Sequence, residues 1–135
     1  MGTRSLTYVY NGTKADMGKP MVCMYRQFDG YPEGHGEELA NFLLSGNLVN
    51  GIPANNDERL FNGMGCLAAQ LVCYFKKDCG GIYLYAPELN QDCWQEYEYH
   101  VYSDRITLFN GSGEHLFTGP WSGFLEFCKN PVTEE

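Results

Sequence analysis

The chain has 135 residues, 44% of them apolar, which suits one domain with one core and excludes global disorder. Its formal net charge of −8 is uneven: residues 78–135 carry ten acids against Arg105 and Lys129, while acids and bases cancel over residues 1–77. That balance excludes a binder of nucleic-acid backbone, which needs a basic face, and leaves an acidic half that either attracts a basic partner or simply keeps the protein in solution.

The segment "SLTYVYNG" alternates and is rich in β-formers, which predicts a strand ending at an Asn11-Gly12 turn. "KPMVCMYRQF" reads as its antiparallel partner, with a loop of turn residues between them. "GEELANFLLSG" predicts a short helix: Leu39, Phe42 and Leu43 recur at helical spacing, and Glu37 and Glu38 suit its first turn. Gly46 reads as its stop, and "NLVNGIPANND" as a surface loop.

From Leu60 a long helix is predicted, with Asn62, Gly63 and Gly65 marking its entry. Met64, Leu67, Ala68, Leu71, Val72 and Phe75 form one face, and Cys66, Ala69, Cys73 and Tyr74 make the other nearly as apolar. Such a helix is expected to be largely buried, and Gln70 within it needs a hydrogen-bond partner. Lys76 and Lys77 suit its C-terminal end before "DCGG" breaks it.

"GIYLYAP" predicts a strand ended by Pro87. "EYEYHVYSDRITLFNG" predicts a hairpin, "EHLFTG" a further strand, and "PWSGFLEFCKN" a short helix with Pro120 near its start. In the hairpin, Tyr97, Tyr99 and Val101 share one face, whereas Glu96, Glu98, His100 and Tyr102 share another that reads as solvated. The expected fold is therefore α+β, a single domain over residues 1–135 with an antiparallel sheet packed against a long buried helix and two shorter helices.

Six cysteines lack C-x-x-C or zinc spacing, no apolar leader opens the chain, and no apolar run is long enough to span a membrane. The expectation is a reduced, cytoplasmic, soluble protein. Many of the ten tyrosines are expected to sit half-buried, ring inward and hydroxyl at the rim.

Chemistry concentrates in "YRQFDGYPEGHGEEL", where a strand hands over to a helix. Gly34 and Gly36 leave the backbone bare where the helix begins, and exposed N–H groups there favour an anion. Arg26 supplies a bidentate charge, His35 a switchable donor, and Tyr25 or Tyr31 a ring for stacking. Glu37 and Glu38 oppose an anion, which confines it to the Arg26 side. The same residues also suit a plain corner, with Asp29 closing a turn and pairing with Arg26 while His35 caps a loop. No phosphate-loop signature is present.

Together, "YRQFDGYPEGHGEELANFL", "NGMGCLAAQLVCYFK", "GGIYLY" and "QEYEYHVY" resemble a family of small hypothetical proteins common in phages and bacteria, over roughly residues 20–110. That resemblance implies a phage-borne or host-interaction role and transfers no catalytic residue.

The first expectation is a non-enzymatic binding protein for a small anionic ligand such as a nucleotide, held by Tyr25, Arg26, Asp29, Tyr31, Gly34, His35 and Gly36. No cofactor, metal or membrane partner is expected, and a homo-oligomer is allowed. One alternative is an acidic inhibitor or adaptor of a host protein, acting through hairpin acids such as Glu96 and Glu98. The other is a small hydrolase using His35 with Asp29.

Overall fold

The structure is a computed structural model and describes residues 2–13, 18–51, 59–89 and 91–131. Residues 14–17 of the first expected loop and 52–57 of the second, with the following residue 58, lie outside the described residues. Strands β1 (Ser5–Val9) and β2 (Val22–Arg26) pair antiparallel, with Leu6 opposite Tyr25 and Tyr8 opposite Cys23. A wide helical turn at Pro32–Gly36 leads into α1 (Glu37–Leu44). The segment expected as a loop opens instead with β3 (Gly46–Val49), which pairs in parallel with β4 (Arg59–Asn62).

The long helix, α2 (Gly63–Phe75), therefore starts three residues later than its apolar spacing predicts. The reason is backbone geometry: Gly63 has φ +84, a left-handed conformation that breaks β4 from the helix and that glycine adopts without strain. Gln70 finds its partner here, donating to Leu60 O at 2.8 Å and so tying α2 back to β4.

Strands β5 (Ile82–Tyr85), β6 (Tyr97–Val101), β7 (Ile106–Asn110) and β8 (His115–Gly119) precede α3 (Trp121–Lys129). The main sheet has six strands in the order β5-β2-β1-β6-β7-β8. Four of its pairings are antiparallel, but β1 and β6 run parallel, so the sheet is mixed. Short connections favour the antiparallel pairing of β6 with β7 and of β7 with β8, whereas β2 and β5 pair antiparallel although distant in the sequence. The β1–β6 seam joins segments about ninety residues apart, and no turn chemistry specifies its direction.

The helices cover one face of the sheet. Val9, Met24, Tyr99, Val101, Ile106 and Leu108 meet Leu39, Phe42, Leu67, Leu71 and Phe124 in the main core. Each such fully buried side chain contributes about 1.5–3 kcal/mol. The expectation that α2 is largely buried needs correction. Leu67, Ala68 and Leu71 are buried, whereas Gly65, Ala69 and Cys73 are exposed. Small residues on its outer face let that side meet solvent without a large apolar area.

The opposite face of the sheet is not the solvated surface that its acids implied. Leu6, Tyr8, Tyr10, Cys23 and Tyr25 form a second buried cluster, with Cys93 and Tyr102 packed against it. His100 is buried there too, its ring stacked on Tyr8 at 4.9 Å and its Nδ1 2.7 Å from Tyr10 Oη. Tyr8 and Tyr99 are fully buried, more deeply than the half-buried placement expected of tyrosine. All six cysteines are free.

One edge of the sheet is protected by local chemistry. Gln27 N donates to Gly81 O at 2.8 Å. By antiparallel alternation, Ile82 and Leu84 then direct their backbone groups to the free edge of β5. Lys76 Nζ donates to Ile82 O at 2.8 Å, and Ile82 N donates to Gly80 O at 2.9 Å. That leaves Leu84, in an exposed apolar strand, as the residue open to another chain.

Candidate functional site

The corner between β2 and α1 is built around a buried histidine. His35 is fully buried, with Nε2 2.8 Å from Thr7 Oγ1 and Nδ1 3.1 Å from an Arg26 Nη1. A guanidinium can only donate, so Nδ1 accepts and Nε2–H donates to Thr7. Burial, then the Arg26 charge, lowers the imidazole pKa from 6.5 to about 3. The ring also packs against Phe75 and edge-on to Tyr99. His35 is thus a neutral internal strut at ordinary pH.

The amides offered by the glycines are engaged. Gly34 N and Gly36 N both donate to Tyr31 O, at 3.0 and 3.3 Å, and His35 N donates to Asp29 O at 2.8 Å. Both glycines are required by close approach. A Cβ on Gly36 would lie 2.8 Å from Cys128 Sγ, and one on Gly34 would lie 2.7 Å from Asp29 O. Asp29 itself holds φ +60, which aspartate tolerates better than most residues. Its carboxylate accepts a hydrogen bond from Tyr31 Oη at 3.3 Å and makes no ion pair with Arg26.

Arg26 instead donates to Glu38 Oε1 at 2.7 Å, and its Nε donates to Phe28 O at 2.6 Å. Glu38 is half exposed, so this pair contributes at most about 1 kcal/mol and exchanges readily for another anion. Tyr25 lies across the sheet from Arg26, because successive strand residues alternate faces. Its ring stacks on Tyr85 and Tyr83, and its hydroxyl accepts from Arg4 Nε at 3.1 Å. The fold therefore brings Arg26 and His35 together, keeps Asp29 with Tyr31, and sets Tyr25 apart.

Arg26 has a second side, which the sequence did not single out. There it borders a cleft of about 210 Å³ between the end of β2, the end of α2 and the turn before β5. Phe75 and Ile82 supply an apolar base, and Phe28, 53% exposed, stands at the mouth. Lys77 and Asp78 line the far side with Gly80 and Gly81. These two glycines have φ +83 and +80, and neither N–H donates a backbone hydrogen bond among the described residues. The signal for this cleft lay in "KKDCGG", which reads as a helix stop until the fold carries it beside Arg26.

His100 and Glu98 form a different constellation on the other face. His100 Nε2 is 3.4 Å from Glu98 Oε1, and Gln95 Nε2 donates to Glu98 Oε2 at 2.8 Å. The hydrogen bond from His100 holds the Glu98 carboxyl below its usual range. His35 and His100 sit on opposite faces of the sheet. Among the described residues no three metal-binding side chains come together, and no helix is long and apolar enough to cross a membrane.

Compared with family models, curated proteins and solved structures, the chain matches none.

Proposed function

We propose that the chain is a non-enzymatic binding protein for a small anion that carries a flat apolar ring, with a nucleotide as the type ligand. The observation that carries this reading is the double role of Arg26. It is anchored from behind by Phe28 O and His35, yet it borders a cleft that also holds Lys77 and two bare glycine amides. The guanidinium and the Lys77 ammonium supply charge, the Gly80-Gly81 turn lets backbone approach a phosphate, and Phe28 and Phe75 flank a ring. Glu38 already occupies one face of the guanidinium, so an anion entering the cleft competes with a carboxylate that leaves cheaply into water.

The ligand lies on the β5 side of Arg26 rather than on the Gly34–Gly36 amides. Phe28 takes the stacking role that the sequence offered to Tyr25 or Tyr31. A cleft of this size takes a phosphate and part of a base, with the remainder at its mouth. The reading extends to the phage-borne role that the motif resemblance implies, since a small nucleotide binder needs no catalytic group.

Thermal-shift titration with mono-, di- and triphosphate nucleosides tests it. At least one is expected to raise the melting temperature, with the rise reduced severalfold in Lys77→Gln and abolished in Arg26→Gln. Ligand-induced shifts are compared within each variant, so a change in basal stability does not confuse the readout. No stabilisation by any nucleotide, or a shift unaltered in both variants, overturns the proposal.

A further inference from the structure

At the end of the sheet where β6 begins and β7 ends, a second concavity of about 400 Å³ opens beside Trp94. Trp94 is 78% exposed, the most exposed large apolar side chain described. A tryptophan buries about 150–250 Å² when covered, so an indole left in water next to a concavity is an unused contact surface. Glu96 and Ser112 line the same space, and Tyr97 joins them from the start of β6.

The concavity has a firm floor. Gly111 approaches the 95–96 backbone so closely that a Cβ there would lie 2.5 Å from Gln95 O. Trp94 N donates to Asp92 Oδ1 at 3.1 Å and Cys93 N donates to Gln95 Oε1 at 3.0 Å, which hold the loop that presents the indole. Trp94 adopts φ +61, an outlier for a bulky residue, so the chain carries strain to keep this ring where it is.

The electrostatics select the sign of the occupant. Glu96 lines the space, and no lysine or arginine does. Arg4 lies opposite, just before β1, where its backbone carbonyl accepts from Glu96 N, but its guanidinium turns to Tyr25 Oη and makes no ion pair with Glu96. Asp92 and Glu114 flank the site on the adjoining loops, within the half of the chain that holds the whole net charge. An exposed indole beside a carboxylate with no ion pair among the described residues fits a planar cation, which gains from the ring face and the charge together.

We propose that this concavity docks a basic segment of a protein partner, with one arginine side chain lying on the Trp94 indole and its guanidinium at Glu96. Tryptophan and arginine are both enriched among the few residues that carry most of the binding energy in protein interfaces. The surrounding acids steer the partner in and make its association salt-sensitive. This site gives a place and an anchor to the acidic adaptor reading, and it is separate from the Arg26 cleft.

The test is titration with a tetra-arginine peptide, followed by calorimetry in every variant and, where Trp94 is present, by its indole N–H resonance and by fluorescence in a Trp121→Phe background. Tetra-glutamate and a neutral disaccharide serve as comparison ligands. Tetra-arginine is expected to shift the indole signal and to bind more weakly as salt rises. Trp94→Gly is expected to lose at least tenfold in affinity while melting higher than the parent, because glycine relieves the left-handed strain. Glu96→Gln is expected to lose several-fold, Glu126→Gln on α3 to lose nothing, and Arg26→Gln to bind the peptide unchanged. Equal losses in Glu96→Gln and Glu126→Gln would reduce the effect to diffuse acidity and overturn the site. So would unchanged binding in Trp94→Gly, or an indole that answers the disaccharide and not tetra-arginine.

Discussion

His35 Nδ1 accepts a hydrogen bond from the Arg26 guanidinium at 3.1 Å, and that one contact fixes the imidazole as the neutral Nε2–H tautomer. Protonation would place two cations against each other inside the core, so burial and Arg26 hold the folded pKa at about 3. In the unfolded chain the same group titrates near the ordinary imidazole value of 6.5. Between these values the unfolded state binds a proton that the folded state refuses, so the stability is complete above about pH 6.5 and falls as pH drops toward 3. The slope approaches ~1.4 kcal/mol per pH unit well inside that window. Urea denaturation at pH 7, 6 and 5 is expected to show the decline, and His35→Gln to flatten it. A slope untouched by that substitution would refute the assignment.

Two buried tyrosines predict opposite outcomes for the same change. Tyr99 Oη donates to Gly30 O at 2.7 Å, so Tyr99→Phe is expected to destabilise by about 1–3 kcal/mol. Tyr8 Oη is buried beside the weakly polar Cys23 thiol and meets no oxygen or nitrogen partner among the described residues. Tyr8→Phe is expected to be neutral or stabilising, because it removes an unsatisfied polar atom. Denaturant midpoints of the two variants decide it, and equal losses would be the wrong answer.

Gly30 is a packing requirement. An added Cβ would meet Ser5 Cβ at 2.7 Å and Thr3 O at 2.8 Å, and the backbone there is pinned by Gly30 N donating to Thr3 O at 2.9 Å. Gly30→Ala is expected to cost about 1–3 kcal/mol. Gly18→Ala, where a Cβ meets nothing within 4 Å among the described residues, is expected to stay within about 0.5 kcal/mol of the parent. Melting curves of the pair give the comparison.

The cysteines separate by burial. Cys23 and Cys128 are buried, with thiol pKa values pushed up by desolvation to about 11 and about 12, whereas Cys73 and Cys79 are exposed. Timed alkylation with mass-spectrometric mapping is expected to label Cys73 and Cys79 first and to spare Cys23 and Cys128 until the chain unfolds. Early labelling of Cys128 would contradict the packing of α3 against Gly36.

Lys76 guards the β5 edge by capping Ile82 O and Gly80 O while its ammonium lies 5.4 Å over the Tyr83 ring. Lys76→Met is expected to free that carbonyl and raise self-association, read by light scattering at increasing concentration. A variant as monodisperse as the parent would show that Lys76 is not what keeps the edge closed.

The sequence by itself determined the elements whose periodicity is local. The apolar spacing of α2, the alternation of β6 and β7, and the glutamates at the start of α1 all gave elements of the right type, because their signals arise within a few residues. It also pointed to Arg26 and His35 as neighbours, since both lie in one short segment. Only the tertiary structure decided the rest. The parallel β1–β6 seam depends on which long-range pairing buries more surface, and no local turn encodes it. The face that reads as polar in β6 became a second core because β1 and β2 bring Tyr8, Tyr10 and Cys23 against it. Tyr25 left the site because strand alternation turns it to the far face, and "KKDCGG" entered it because β5 pairs with β2 at Arg26. Local spacing sets which way a side chain points on its own element. What that side chain meets is set by contacts between distant segments, whose free energy no short stretch of sequence contains.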